Sequence, residues 1–329
     1  MMAGNPLAGS GHIATIDLGG TKILAAIFSP DGVVVSRAKK MTRAERGPEA
    51  VVNRMAATVR EAALDAGIDP AELKGIGVGA PGPIDVQAGV VRVAPNLGWE
   101  QFPLTEKLRE RLGLPVFLGN DVSVAVRAEH QVGAGRGTRT MVGIWPGTGV
   151  GGGIVVDGVL YSGMDGLAGE IGHMTIKAGG RKCGCGGRGH LEALCSRTAI
   201  VKDIARQVKR GAKTELTKIA GDDVGAATSG DLAKARERGD KVVIKALDRA
   251  AAYLALGVAG VANLLNPELV VLGGGVVEAL GDPFVDYVTE LVRKQPLHAA
   301  TGDLRIAKSE LGDDAGISGA ALLVRQGTI

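Results

Sequence analysis

IATIDLGGTKILAAIF, residues 13–28, sets two apolar runs on either side of Asp17-Leu18-Gly19-Gly20-Thr21-Lys22. Apolar runs broken by paired glycines read as a hairpin turned at the glycines. Gly19 and Gly20 let backbone N–H groups approach an anion closely, and Thr21 adds a hydroxyl donor, so the turn suits a phosphate. Asp17, at the end of the first strand, is placed to hold a water of a hydrated magnesium ion. An ordinary hairpin carries the same string, so the choice depends on the rest of the chain.

Two further strand-to-glycine turns occur. Met141–Trp145 reads as a strand and is followed by Gly147-Thr148-Gly149-Val150-Gly151-Gly152-Gly153 and a strand over Ile154–Val156. Five glycines in seven residues exceed what a hairpin needs and point to a phosphate loop. This segment echoes the first hairpin, as two related halves would. The third turn is Gly273-Gly274-Gly275-Val276, after a buried strand over Val270–Leu272.

Between the first two turns, Val33–Ser36 reads as a strand. Pro48–Ala66 reads as an amphipathic helix with Val52, Met55, Val59 and Ala63 on one face. Gly75–Gly79 is a short strand leading into the rigid turn Ala80-Pro81-Gly82-Pro83. Pro95–Trp99 is an irregular loop that offers the Asn96 amide, with Trp99 as packing. Leu104–Leu112 reads as a helix, Val116–Leu118 as a strand, and Asn120-Asp121 as the opening of a helix that runs to about His130. Asn or Asp at a helix start is by default an N-cap. A carboxylate at the C-terminal end of a strand also lies where open α/β sheets collect their ligands. Beyond the second turn, helices are expected at about Thr198–Lys209 and Ser229–Arg238, joined by a polar, mobile segment. A long helix spans Lys241–Leu265, a strand Leu304–Ala307, and a last helix starts near Asp314.

GEIGHMTIKAGGRKCGCGGRGHLE, residues 169–192, gathers Glu170, His173, Cys183, Cys185, His190 and Glu192. Thiolates beside imidazoles suit tetrahedral zinc, and His173, Cys183, Cys185 and His190 make a Cys2His2 set. A metal there would hold Gly184 in a tight turn and present the flanking glutamates to a polar ligand. Cys195 competes with His190 for the fourth position.

The 329 residues allow two domains. A net charge of +3 without a long basic run argues against nucleic acid or an anionic membrane as partner. No apolar run reaches bilayer length; Ala250–Leu265 comes nearest and Asn263 interrupts it. The start of the chain has no secretory-signal pattern, and three cysteines suit a reducing compartment, so a cytoplasmic protein is expected. Glycine, at 52 residues, exceeds the usual share of about 7%, and it concentrates at turns. With aromatics at 3%, the core must be built from Val, Ile, Leu and Ala.

Taken together, these motifs resemble the ROK family (repressors, open reading frames and sugar kinases), and within it the bacterial glucokinase-like enzymes. The likeness rests on DLGGTK at 17–22, GAPGP at 79–83, PNLGW at 95–99 and Asn120-Asp121. It continues through GTGVGGG at 147–153, GEIGH at 169–173, the cysteine knot with Glu192, LGGGV at 272–276 and GDDAG at 312–316. It covers the chain from about residue 13.

The resemblance implies an α/β, two-domain actin-like ATPase (ribonuclease H-like) fold with a central interdomain cleft. Residues 1–121 would form the small domain, completed by a C-terminal helix at 306–329, and residues 122–305 the large one with its zinc-stapled loop. It implies that Asp121 is the base for a sugar 6-hydroxyl. Asn120, Glu170, His173 and Glu192 would hold the other hydroxyls, with Asn96 and Gly82 lining the same pocket. Asp17, Gly19, Gly20, Thr21, Lys22, Gly147, Thr148 and Gly149 would serve ATP phosphates and Mg2+, and Gly274 and Gly275 the adenosine. In the family, His173 has one ring nitrogen on zinc and the other toward the sugar.

The family's knot usually reads C-x-C-G-x-x-G-C-x-E, and here His190 stands at the third cysteine. The implied activity is ATP-dependent phosphorylation of glucose, with N-acetylmannosamine, N-acetylglucosamine, fructose and allose as alternative sugars and polyphosphate as an alternative donor. The implied assembly is a homodimer or a dimer of dimers. A sugar-responsive repressor would be expected to carry a helix-turn-helix domain before the first turn, where only 16 residues precede Asp17.

Overall fold

The glycine pair does turn the chain. In a computed structural model that describes residues 5–221, 223–295 and 303–327, β1 (Ile13–Leu18) and β2 (Lys22–Phe28) pair antiparallel. They are followed by β3 (Val34–Met41), α1 (Pro48–Asp65), β4 (Ile76–Ala80), β5 (Ile84–Asp85), β6 (Val90–Ala94) and β7 (Trp99–Phe102). Then come α2 (Leu104–Leu112), β8 (Val116–Asn120) and α3 (Asp121–Val132). The next elements are β9 (Met141–Pro146), β10 (Val150–Val156), β11 (Val159–Leu160), α4 (Glu192–Cys195), α5 (Arg197–Lys209), α6 (Leu216–Ala220) and α7 (Ser229–Glu237). The chain ends with α8 (Lys241–Leu265), β12 (Leu269–Leu272), α9 (Gly275–Leu280), α10 (Asp282–Arg293), β13 (Arg305–Lys308) and α11 (Ala315–Gln326).

Contacts divide the chain into two units, each with its own apolar core. Met1–Gly137, Val159–Ala168 and Asp313–Ile329 form the first; Thr138–Gly158 and Gly169–Gly312 form the second.

The first unit is built on the sheet β3-β2-β1-β4-β8, in which β1, β4 and β8 run parallel. The expected face of α1 is the buried one: Val52, Met55, Val59 and Ala63 are all inside. Missing side chains let α11 lie unusually close to its neighbours. A Cβ on Gly77 would fall 1.9 Å from the Ala320 carbonyl oxygen, and one on Gly319 would fall 1.9 Å from that of Val124. Two sequence readings fall short here. β3 runs to Met41 rather than Ser36, because Arg37, Lys39 and Lys40 give its outer half the polar look of an edge strand. The small sheet β5-β6-β7 went unread because its strands are short and polar in part.

The second unit repeats the pairing pattern: β9 pairs antiparallel with β10 and parallel with β12, which pairs parallel with β13. The two related halves inferred from the sequence are therefore visible in topology. Glycine residues 151–153 do not form a loop, as the sequence suggested, but lie within β10, so the turn is confined to 147–149. The segment read as mobile between α5 and α7 contains α6, anchored by the buried Leu216. Gly275 opens α9, and α9 and α10 were not anticipated. No helix among the described residues is long and apolar enough to cross a membrane.

The long helix α8 is fixed at both ends. Asn266 closes it in the left-handed conformation at φ 44. Asp240 caps its start, accepting from the Val242 and Val243 N–H groups at 2.9 and 3.1 Å and from Thr214 Oγ1 and Glu215 N at 2.5 and 2.6 Å. Burial raises the Asp240 pKa, but these donors outweigh it and hold the carboxyl below its ordinary value of 3.8. Asp240→Ala should lower unfolding free energy by about 2–3 kcal/mol at neutral pH. A depressed folded pKa gives stability that is present above the unfolded value and lost as pH falls through the folded one. Urea titrations of both proteins at pH 7 and near pH 3 should therefore show the gap narrowing in acid.

Candidate active site

In the first unit the candidate residues sit at the C-terminal ends of parallel strands, where the register places Asp17 beside Gly79 and Ala80 beside Asn120. The glycine turn is braced from behind: Gly19 N–H donates to the Lys22 carbonyl at 2.9 Å, and Thr42 Oγ1 donates to that of Gly19 at 2.7 Å. Asp17 is half-buried, and a Cβ on Gly316 would come 3.0 Å from its Cγ. Burial pushes the Asp17 carboxyl above its ordinary value; Lys22 opposes this and Asp313 adds to it.

Gly82 has φ +87, and a Cβ there would collide with the Val93 carbonyl oxygen at 2.1 Å, so only glycine fits. Its own carbonyl accepts from Asn120 Nδ2 at 3.1 Å. Asn120 Oδ1 accepts from Val122 N and Ser123 N, which makes it the N-cap of α3. Capping and site placement are thus served by one residue: three hydrogen bonds of the amide lock the loop and the helix start, and its second N–H can still donate. Asp121 follows, half-buried, with Val122 N–H donating to its Oδ1 at 2.9 Å. Asn96 is exposed, with its Cβ 3.4 Å from where a Cβ on Gly20 would lie. A cavity of about 360 Å3 within this unit is bordered by Asn120, Ser123, Asp85 and Arg92.

In the second unit, the glycine turns end the adjacent parallel strands β9 and β12. The Trp145 indole lies against Gly273, where a Cβ would meet its Cε2 at 2.5 Å. Gly274, at φ +80, abuts Pro146. The two turns therefore share one sheet edge. Next to the first, Arg197 N–H donates to the Gly147 carbonyl at 2.8 Å and Thr198 Oγ1 to that of Thr148 at 2.7 Å.

The knot is laid over β10 by close backbone approach. A Cβ on Gly172 would fall 1.9 Å from the Val150 carbonyl oxygen, and one on Gly152 2.6 Å from that of Gly169. Glu192, the first residue of α4, accepts from Val150 N–H through Oε2 at 3.1 Å. Its Oε1 accepts from Cys183 Sγ at 3.4 Å. His173 turns Nδ1 toward Cys183 Sγ, 3.8 Å away, and Nε2 toward Glu170 Oε2, also 3.8 Å away. His190 Nδ1 lies 3.3 Å from Cys185 Sγ.

One ligand atom from each of His173, Cys183, Cys185 and His190 lies within 4.8 Å of all the others. Cys195 is instead buried in the apolar core, and burial pushes its thiol pKa up. Burial also pushes Cys183 up to about 11; the Cys185 backbone N–H opposes this, and the Cys185 thiol and Glu192 add to it. The imidazole of His190 has room because Gly187 has no side chain; a Cβ there would lie 2.4 Å from its Cε1. Arg181, in the knot, reaches Asp203 on α5 at 2.5 Å, and Arg249 on α8 pairs with the same carboxylate.

The structure thus gathers Asp17, Gly82, Asn96, Asn120 and Asp121 in one unit. It gathers Thr148, Gly149, Glu170, Glu192 and the four donors His173, Cys183, Cys185 and His190 in the other. Sequence reading missed the Arg181–Asp203–Arg249 bridge and the contact of Arg197 with the Gly147–Gly149 turn. Only the second left a trace, an arginine directly after the helix cap Ser196.

A carboxylate and glycine turns at strand ends in two similarly wired α/β units define a phosphotransferase of the actin-like ATPase fold. The chain belongs to the ROK family, whose profile matches residues 13–327. It is 37% identical to a glucokinase of Thermotoga maritima over 94% of this chain and 96% of that one. Identity to a glucokinase of Halalkalibacterium halodurans is 36%, over 94% of each. The structure of a ROK family glucokinase from Streptomyces griseus, in complex with glucose and AMPPNP, is 32% identical and superposes with a TM-score of 0.82, covering 96% of this chain and all of that one.

Asn120→Ala should cost about 1–2 kcal/mol in stability, because α3 loses its cap and Gly82 its donor. Asn120→Asp, which keeps the capping oxygen, should cost less. Thermal denaturation of the two variants gives the comparison; equal losses would show that the cap contributes nothing.

Proposed function

We propose that this chain is an ATP-dependent kinase that phosphorylates the 6-hydroxyl of glucose. The observation that carries the reading is Asp121, a half-buried carboxylate at the end of β8 in a chain that resembles glucokinases over 94% of its length. Phosphoryl transfer asks little covalent chemistry of a protein; it needs an in-line hydroxyl and neutralised phosphate charge. Asp121 accepts the proton as the hydroxyl oxygen bonds to phosphorus. Asn120 offers its remaining N–H, and Asn96 its exposed amide, to the sugar. Glu170, His173 and Glu192 are the corresponding groups on the second unit.

Phosphates are assigned to Gly19, Gly20, Thr21 and Lys22, and to Gly147, Thr148 and Gly149. Nothing lies within 4 Å of where a Cβ on Gly147 would stand, so that backbone is open to a ligand. Gly274 and Gly275 are assigned to the adenosine. Mg2+, when bound, neutralises phosphate charge. Asp17 fits its preference for a single carboxylate plus waters, since among the described residues no ion pair closes on it.

The donor cluster suits zinc. Ligands at 2.0–2.3 Å from a tetrahedral ion stand roughly 3.3–3.8 Å apart, the range spanned by the His190–Cys185 and His173–Cys183 separations. His173, Cys183, Cys185 and His190 would hold it, and its role would be structural. That leaves His173 Nε2 on the Glu170 side, where the sugar is proposed. Two domains are assigned as 1–121 with 306–329, and 122–305; the contact units agree in placing α11 with the N-terminal residues, but take 122–137 and 159–168 into the first unit and 306–312 into the second. A cytoplasmic homodimer or dimer of dimers, with neither nucleic acid nor membrane as partner, completes the reading.

A panel of hexoses and N-acetylhexosamines, assayed with ATP by coupled ADP release, should rank glucose first; a higher kcat/KM on another sugar would replace it. Asp121→Asn should cut turnover by about 100- to 10,000-fold while glucose still binds. Near-native turnover would reduce Asp121 to a helix residue. Metal analysis should find one zinc per chain, lowered in His190→Ala and retained in Cys195→Ser; the reverse pattern would move the fourth ligand to Cys195.

A further inference from the structure

Arg197 occupies the first position of α5, and its Nη2 donates to Thr148 Oγ1 at 2.9 Å. With its backbone N–H on the Gly147 carbonyl, it grips the phosphate turn at two points. We propose that the Arg197 guanidinium is a phosphate-binding residue that contacts the triphosphate of the donor beside the Gly147–Gly149 turn. The inference rests on the kinase reading and adds to it a residue that supplies positive charge.

The first support is the hydroxyl. Thr148 Oγ1 accepts from Arg197, so its own proton must point away from the guanidinium and is available to an oxyanion. The second is the cation itself. Among the described residues no carboxylate forms an ion pair with Arg197, whereas Arg181 and Arg249 close on Asp203 and Arg139 on Asp157.

The position is also unfavourable for a bare cation. A positive charge at a helix start is opposed by the helix dipole, and the first turn of α5 has no acidic residue to offset it. Helix stability therefore gives no reason for an arginine there, but an anionic ligand does. A guanidinium has five N–H donors in a planar fork, and the bond to Thr148 uses one. The rest can take two oxygens of one phosphate, a geometry that lysine cannot reproduce.

The test uses the purified full-length chain and the variants Arg197→Met and Arg197→Lys. Calorimetry measures binding of a non-hydrolysable Mg-ATP analogue, of adenosine, of glucose and of inorganic tripolyphosphate. Arg197→Met should weaken the analogue and tripolyphosphate by about ten- to hundredfold, as expected for a lost hydrogen bond to a charged group. Adenosine and glucose should bind as before, and Arg197→Lys should recover part of the loss.

Analogue affinity within twofold of wild type in Arg197→Met would overturn the proposal. A parallel fall in analogue, adenosine and glucose binding, equal in both variants, would make Arg197 a brace for the turn and overturn it as well. A wild-type chain that binds neither the analogue nor tripolyphosphate would remove the kinase reading and this inference together. Normal wild-type binding with an unaffected Arg197→Met removes the inference alone.

Discussion

The hydrogen bond from Val150 N–H to Glu192 Oε2, 3.1 Å long, ties together the two segments that carry the second unit's candidate site residues. It joins the strand that leaves the Gly147–Gly149 turn to the residue that ends the knot. It exists because glycines hold the two segments backbone to backbone. A Cβ on Gly149 would sit 2.3 Å from Glu192 Oε2, one on Gly172 1.9 Å from the Val150 carbonyl oxygen. The groups proposed for phosphate and for sugar hydroxyls are therefore held close to one another within this unit. That suits an enzyme whose main task is to position an acceptor against a phosphorus atom.

The same economy governs the first unit. Gly82 can only be glycine, and its carbonyl is the partner that fixes Asn120, which in turn caps the helix that starts at Asp121. The proposed base is held by a chain of ordinary structural bonds rather than by a dedicated scaffold. Both units carry one antiparallel glycine hairpin followed by two parallel strands. Their candidate site residues accordingly gather at the same strand ends, as expected of open α/β sheets.

Much of this was legible in the sequence, and the exceptions have physical causes. Apolar strands bounded by glycine, such as Ile13–Leu18 and Leu269–Leu272, announce themselves. So do helices with a clean periodic face, such as Pro48–Asp65 and Leu104–Leu112. Glycine residues 151–153 mislead because glycine disfavours strands; here Gly152 is needed for the close approach of residues 169 and 171. Strand β3 was cut short because an edge strand exposes alternate residues. His190 was weighed against Cys195 on spacing, and the donor cluster contains His190. What no spacing could reveal is that Gly187 vacates the space its ring fills. Arg197 escaped notice because its partner, Thr148, is 49 residues away.

The account's central claim is transfer of the ATP γ-phosphoryl group to one oxygen of one sugar. Phosphorus NMR of the product formed from glucose and Mg-ATP, with proton–phosphorus correlation to locate the ester, tests it most directly. The account predicts a single phosphomonoester coupled to the two protons at C6, formed in step with ADP. A phosphate coupled to the anomeric proton, or ADP accompanied only by inorganic phosphate, would contradict it.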